Sequence, residues 1–198
     1  MPGRCYLVDC TTCLDYRVSN IHDELIERCR KGDSRAFRRL YELYSKAMYN
    51  TALRITGDSD DAGDVLQEAF ISAFNNLDRY RHDATFGSWL KRIVINKAIN
   101  HIRKRRTVAL PEDAEWDVPD EPEIEIEVGE ETVRRIREAI GQLPDGYRTV
   151  LSLYLIEGYD HQEISEIMGV SVSTSKSQLN RAKARLKEML TTRHEREN

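Results

Sequence analysis

The sequence predicts an all-α protein: two small helical domains joined by an acidic flexible linker, the second ending in a helix-turn-helix. Three observations predict it. Apolar residues recur at spacings of three and four through 21–106 and again through 131–193, which is the period of an amphipathic helix. Between them, 107–130 holds Pro111, Pro119 and Pro122, and every charged residue in it is acidic. The stretch Asp160 to Leu190 then reads as a helix, a glycine turn and a second, capped helix.

A chain of 198 residues suits one or two small domains. The formal net charge is -4, so any nucleic-acid surface must be a local patch. The charge is segregated in that way. From Lys91 to Arg106 every charged residue is basic, whereas the linker is acidic throughout, which points to two surfaces with different partners. No apolar run is long enough to span a bilayer, and the first residues lack the apolar centre of a signal peptide, so the expected location is cytoplasmic.

Residues 1–20 show no helical period and read as a disordered extension. They contain Cys5, Cys10 and Cys13; Cys29 falls in the first helix. Cys10 and Cys13 have zinc spacing, but only Cys5 and His22 are near enough to complete a tetrahedral set. The cysteines are therefore read as reduced thiols, with no metal and no cofactor assigned.

Ile21 to Lys31 is a short helix closed by Gly32, after which Asp33 caps a longer one over Ser34 to Thr56. The stripe of that helix is Phe37, Leu40, Tyr41, Tyr44, Ala47, Met48, Thr51 and Ile55, an aromatic-rich core face. A third helix, Ser59 to about Leu77, buries Ala62, Val65, Leu66, Ala69, Phe70 and Ala73. Its other face shows Asp61, Asp64, Gln67 and Glu68, which periodicity alone reads as solvated. Leu77 to Gly87 has no period and mixes aromatic with charged side chains, a loop able to clasp an unstacked base. The fourth helix, Ser88 to about Arg106, buries Trp89, Leu90, Ile93, Val94, Ala98 and Ile102. It exposes Arg92, Asn96, Lys97, Asn100, His101, Arg103 and Lys104, cations for phosphates interleaved with amides for base edges.

The linker cannot bury enough surface to fold alone. Beyond it, a helix from Glu131 carries Val133, Ile136, Ala139, Ile140 and Leu143. Leu143-Pro-Asp-Gly146 turns into another with Tyr147, Val150, Leu151, Tyr154 and Leu155. In the helix-turn-helix, Asp160 and Glu163 form a capping box, Gly169 ends the first helix and Ser171 caps the second. The second helix buries Leu179, Ala182, Leu186, Met189 and Leu190. Its opposite face offers Ser173, Thr174, Lys176, Ser177, Asn180, Arg181, Lys183 and Arg185 to DNA. Ser175 lies on the buried face, where an aliphatic residue would pack better; its hydroxyl is expected to bond the carbonyl four residues back.

Several ordered motifs together resemble a bacterial RNA polymerase sigma factor of the extracytoplasmic-function type. They are Asp61-Ala-Gly-Asp-Val-Leu-Gln-Glu68, Phe86-Gly-Ser-Trp-Leu-Lys-Arg-Ile93, Asn96-Lys-Ala-Ile-Asn100, Leu143-Pro-Asp-Gly-Tyr147, and Gly169-Val-Ser171 with Lys176-Ser177 and Arg181-Ala182. The resemblance covers about Ile21 to Leu190. It implies that 21–106 is a region 2 like domain, docking on the polymerase clamp helices through Asp61, Asp64, Gln67 and Glu68. Reading and melting of the minus-ten element would then fall to Tyr80, Phe86, Arg92, Asn96, Lys97, Asn100, Arg103 and Lys104. It implies that 131–193 is a region 4 like domain reading the minus-thirty-five element through Ser173, Thr174, Lys176, Ser177, Asn180, Arg181 and Arg185. The acidic linker would thread the RNA path. The implied partners are core RNA polymerase, double-stranded and melted promoter DNA and an anti-sigma factor, with the chain a monomer on the polymerase. Departures from the family are Gly63 in place of a charged residue, Ser175 in place of an aliphatic one, and the cysteine-bearing tail.

Two other readings stand beside this one: a free-standing helix-turn-helix regulator and a helical adaptor without DNA contacts. The acidic helix face and linker form no ligand pocket, which weighs against the first. The amides among the charges of both basic helices weigh against the second. Scattered histidines and the absence of a phosphate-cradling glycine loop speak against an enzyme.

Overall fold

The Asp33 side chain accepts hydrogen bonds from the backbone N–H groups of Arg35 and Ala36, and so starts the long helix around which the first half of the molecule is built. In a computed structural model, residues 22–105 and 130–197 are described, with side chains over 22–105 and 131–191. Both the cysteine-bearing tail and the acidic linker lie outside them. Helix α1 spans 22–30, α2 Ser34–Thr56, α3 Ser59–Asn75 and α4 Phe86–Arg105. A 3-10 turn at Leu77–Arg79 leads into the loop before α4. In the second half, α5 spans Glu130–Gly141 and α6 Asp145–Leu151; a π turn follows at Ser152–Ile156, then α7 at His161–Met168 and α8 at Val172–Glu197.

Helices α2, α3 and α4 pack on one another around Leu40, Ile55, Val65, Leu90, Val94 and Ile95, all but excluded from solvent. Burial of each such side chain is worth about 1.5–3 kcal/mol. The expected buried set of α3 is found complete. Some boundaries moved. The third helix stops at Asn75, and α4 starts at Phe86, because the Thr85 hydroxyl accepts from the Ser88 N–H and caps the helix two residues early. Ala47 is exposed and Tyr41 40% exposed, since the core side of α2 is narrower than its apolar stripe.

The larger departure is the π turn. Glu157 N–H bonds the Ser152 carbonyl, five residues back, and the extra residue rotates the apolar stripe. Leu151 and Leu153 are buried, while Tyr154 and Leu155, expected in the core from α-helical spacing, face outward. The same rotation turns Glu157 toward the first half of the molecule.

There the halves meet over two buried charges. Arg148, 4% exposed, donates to the carbonyls of Ile55 and Thr56 at the end of α2, at 3.2 and 2.7 Å, and to that of Leu143 at 2.8 Å. Its guanidinium lies against Gly57, which has φ +72°; a Cβ there would come within 2.6 Å of the guanidinium carbon, so glycine serves both the turn and the contact. The Glu157 side chain, 3% exposed, lies between Arg54 of α2 and Lys91 of α4, with the lysine at 2.8 Å. Burial alone would raise the pKa of this carboxyl, but hydrogen bonds from Lys91 and Arg54 hold it below the usual carboxylate range.

Candidate nucleic-acid interface

Three surfaces carry the residues singled out by sequence. The first is the outer face of α3. Asp64, Gln67 and Glu68 are exposed, and Glu68 lies 3.6 Å from Lys97 of α4. Asp61 is set apart from them: its carboxylate receives Arg105 at 2.6 Å and lies 3.0 Å from His101, both on α4. Successive acids at i, i+3 and i+7 share one side of a helix, but here the first of them is already engaged.

The second surface is α4 with its preceding loop. Arg92, Asn96, Asn100, Arg103 and Lys104 are exposed at three- and four-residue intervals, so cations and amides alternate along one stripe. Lys97 lies at its edge, partnered by Glu68. The C-terminal end of α4 also touches the second half. Arg103 donates to the Met168 carbonyl at 2.5 Å, and Arg105 reaches Asp145 of α6 at 3.5 Å.

Tyr80 and Phe86 are 5% and 3% exposed. With Tyr44 and the half-buried Trp89 they form an aromatic cluster, ring centroids 5.3–5.6 Å apart. The Tyr80 hydroxyl donates to the Ala84 carbonyl at 2.8 Å, which closes the loop on itself. As placed, both rings support the loop from beneath. What the loop exposes is Arg81, Asp83 and His82, whose φ of +61° is unusual outside glycine and whose ring lies 4.4 Å from that of Tyr80. Sequence reasoning did not single out His82, because left-handed backbone at a non-glycine residue leaves no compositional mark.

The third surface is α8. The capping box on α7 is complete, with Asp160 accepting from the Glu163 N–H and Glu163 accepting in return. Gly169 has φ +62°, and the Ser171 hydroxyl accepts from the Thr174 N–H at 3.0 Å. These devices set α8 across α7. Ser173, Lys176, Asn180 and Arg185 are exposed and Thr174, Ser177 and Arg181 half-buried, on a helix that buries Leu179 and Ala182. Ser175 is fully buried, and its hydroxyl pairs with His161 Nδ1 at 2.9 Å across the turn, a partner from α7 that local spacing within α8 could not show.

Among the described residues no group of three or more His, Cys, Asp or Glu side chains is placed to hold a metal ion. No helix there is long and apolar enough to cross a membrane.

Comparison with known proteins gives these surfaces a context. Residues 40–108 match the family description "Sigma-70 region 2", and residues 133–186 match "Sigma-70, region 4". The RNA polymerase sigma-H factor of Pseudomonas aeruginosa is 37% identical over 171 residues, covering 81% of this chain and 89% of that protein. The ECF RNA polymerase sigma factor SigW of Bacillus subtilis is 32% identical over 180 residues, covering 83% and 94%. Among solved structures, the sigma factor RpoE bound to the anti-sigma factor NepR, from Bartonella quintana, shares the fold with a TM-score of 0.52 at 21% identity, covering 78% of this chain and 96% of that one.

Proposed function

The chain belongs to the sigma-70 family as a sigma factor of the extracytoplasmic-function type, and on that premise we propose which of its surfaces performs each part of promoter-specific transcription initiation. Docking on the clamp helices of core RNA polymerase is assigned to Asp64, Gln67 and Glu68, with Asp61 joining once Arg105 and His101 release it. Exposed carboxylates gain little by themselves, but partly desolvated against a basic partner each can matter by about 2 kcal/mol or more.

The observation that carries the reading is the two reading stripes, one in each region. On α4, Arg92, Asn96, Asn100, Arg103 and Lys104 form a row suited to phosphates and base edges of the minus-ten element, and the loop bearing His82 lies at its start. Tyr80 and Phe86 act from below, holding that loop in shape for a base that has left the stack. On α8, Ser173, Thr174, Lys176, Ser177, Asn180, Arg181 and Arg185 face outward from a capped helix, the geometry in which a recognition helix enters the major groove. Residues 21–106 and 131–193 are the corresponding domains, and 107–130 the linker between them.

The chain acts as an initiation factor in the cytoplasm, performs no catalysis of its own, and is one copy per polymerase. An anti-sigma factor is the expected antagonist, as with the Bartonella protein. The test is addition of the purified chain to core polymerase on a promoter library. Selective initiation that fails when either stripe is replaced by alanines supports the assignment. Selective initiation that survives loss of the α8 stripe overturns it.

A further inference from the structure

Ser175 stands where an aliphatic side chain would fill the seam between α7 and α8, yet it is 0% exposed and its Oγ lies 2.9 Å from His161 Nδ1. His161 is the first residue of α7 after its cap, Asp160. Its ring stacks on Tyr154 of the π turn, centroids 4.6 Å apart and planes 23° from parallel. One imidazole therefore links three elements: the π turn by stacking, α7 by its backbone and α8 by a hydrogen bond. An aliphatic contact at this seam would tolerate a few degrees of rotation, because dispersion is not directional. A hydrogen bond weakens steeply as it bends, so the Ser175 hydroxyl fixes the roll of α8 on α7. Thr174 and Lys176 flank Ser175, and Ser177, Asn180 and Arg181 follow on the outward face, so the roll decides where each of them points.

We propose that His161 and Ser175 are a positioning pair for reading of the upstream promoter element, fixing the register of the α8 reading face through their hydrogen bond. The proposal rests on the assignment of α8 as the upstream reader. The groups facing His161 are Asp160 on its own helix, Tyr154 from the π turn, and Lys176 and Lys183 from α8. Burial, and then the two lysines, hold the imidazole below its ordinary pKa, so the ring is neutral near pH 7. Protonation at lower pH sets a cation against Lys176 and Lys183 and strains the seam. Discrimination therefore falls in acid.

The experiment measures binding of full-length protein with core polymerase to a promoter and to a copy with a scrambled upstream element, from pH 5.5 to 8. Ser175→Val keeps the seam filled and removes the bond; the ratio of the two affinities is expected to fall by about three- to tenfold, the size of one hydrogen bond, with thermal stability retained. His161→Gln should flatten the pH dependence of the ratio, and the double variant should lose no more than the worse single one. Arg181→Ala is the control for the underlying assignment. A wild-type ratio in Ser175→Val, where Arg181→Ala lowers it, overturns the pair. If the ratio is also unchanged when the whole α8 stripe is replaced by alanines, α8 does not read the element and the pair falls with it.

Discussion

Helices α4 and α8 look alike in sequence, each an apolar stripe backed by cations and amides, but the fold treats them differently. On α4, Lys91 is closed onto Glu157, Lys97 onto Glu68, Arg103 onto the Met168 carbonyl and Arg105 onto Asp61 and Asp145. On α8, Ser173, Lys176 and Asn180 face solvent, and Arg185 pairs with Glu188 within its own helix. The difference is one of place. Helix α4 lies at the junction of the two halves, so part of its basic surface serves the junction whenever the halves are together. Helix α8 packs instead on α5, α6 and α7 of its own half.

The comparison breaks most widely at the acidic face beside α4. Asp64→Lys with Glu68→Lys should leave a folded chain, since exposed substitutions cost within roughly 0.5 kcal/mol each. It should nevertheless fail to co-elute with core polymerase, because two reversed charges add repulsion to lost attraction. Circular-dichroism melting controls for folding. Co-elution like wild type would remove this face from the docking site.

The junction itself comes next. Arg148→Met strands the carbonyls of Ile55 and Thr56 and takes one cation from the Asp145 carboxylate, and breaking a buried charged contact costs about 3–5 kcal/mol. Denaturant unfolding should shift accordingly, and small-angle scattering should register a larger particle. Acid should do something similar through Glu157. Its folded pKa is held low, so its stabilisation is complete above the unfolded pKa and is lost as pH falls through the folded one. Glu157→Gln should abolish that part of the acid response. A radius that stays constant in both variants would show that the remaining contacts, those of Arg103 with Met168 and Arg105 with Asp145 among them, hold the halves without these two charges.

Arg181→Ala isolates α8. If its guanidinium reads a base, binding to the matched upstream element should weaken by about 1–3 kcal/mol, with the loss confined to changes at one position. A loss equal on all sequences would make it a phosphate contact, and no loss at all would remove Arg181 from the reading face.

What the sequence revealed of all this follows the range of each interaction. Caps and turns are local, and so Asp33, Asp160 with Glu163, Gly169 and Ser171 were readable in place. The buried set of α3 followed from one period. The π turn broke that logic, because a single added residue inside a helix has no signature in spacing and moved Tyr154 and Leu155 outward. Nothing in the sequence singled out Arg148 and Glu157, and for a related reason: their partners are the ends and faces of helices about a hundred residues earlier. Ser175 was visible as a misfit but not as half of a pair. Likewise Asp61 had the spacing of a surface acid, and only the packing of α3 on α4 brings Arg105 and His101 to it.

The smallest expected effect is at Gly63, which lies on α3 between Asp61 and Asp64. A Cβ built there meets nothing within 4 Å, so no close approach requires glycine. Glycine in a helix interior costs about 0.8–1 kcal/mol relative to alanine, through the backbone freedom it gives up on folding. Gly63→Ala should therefore stabilise the chain by up to that amount, a rise in melting temperature of about 2–4 °C for a protein of this size. The variant also distinguishes α3 as scaffold from α3 as docking face. Unchanged co-elution with core polymerase alongside the higher melting temperature would mean that docking needs no close approach to the backbone at 63. Weaker co-elution from a more stable protein would mean that the partner lies close against the bare backbone at 63, and that the glycine is kept for that contact at the expense of the helix.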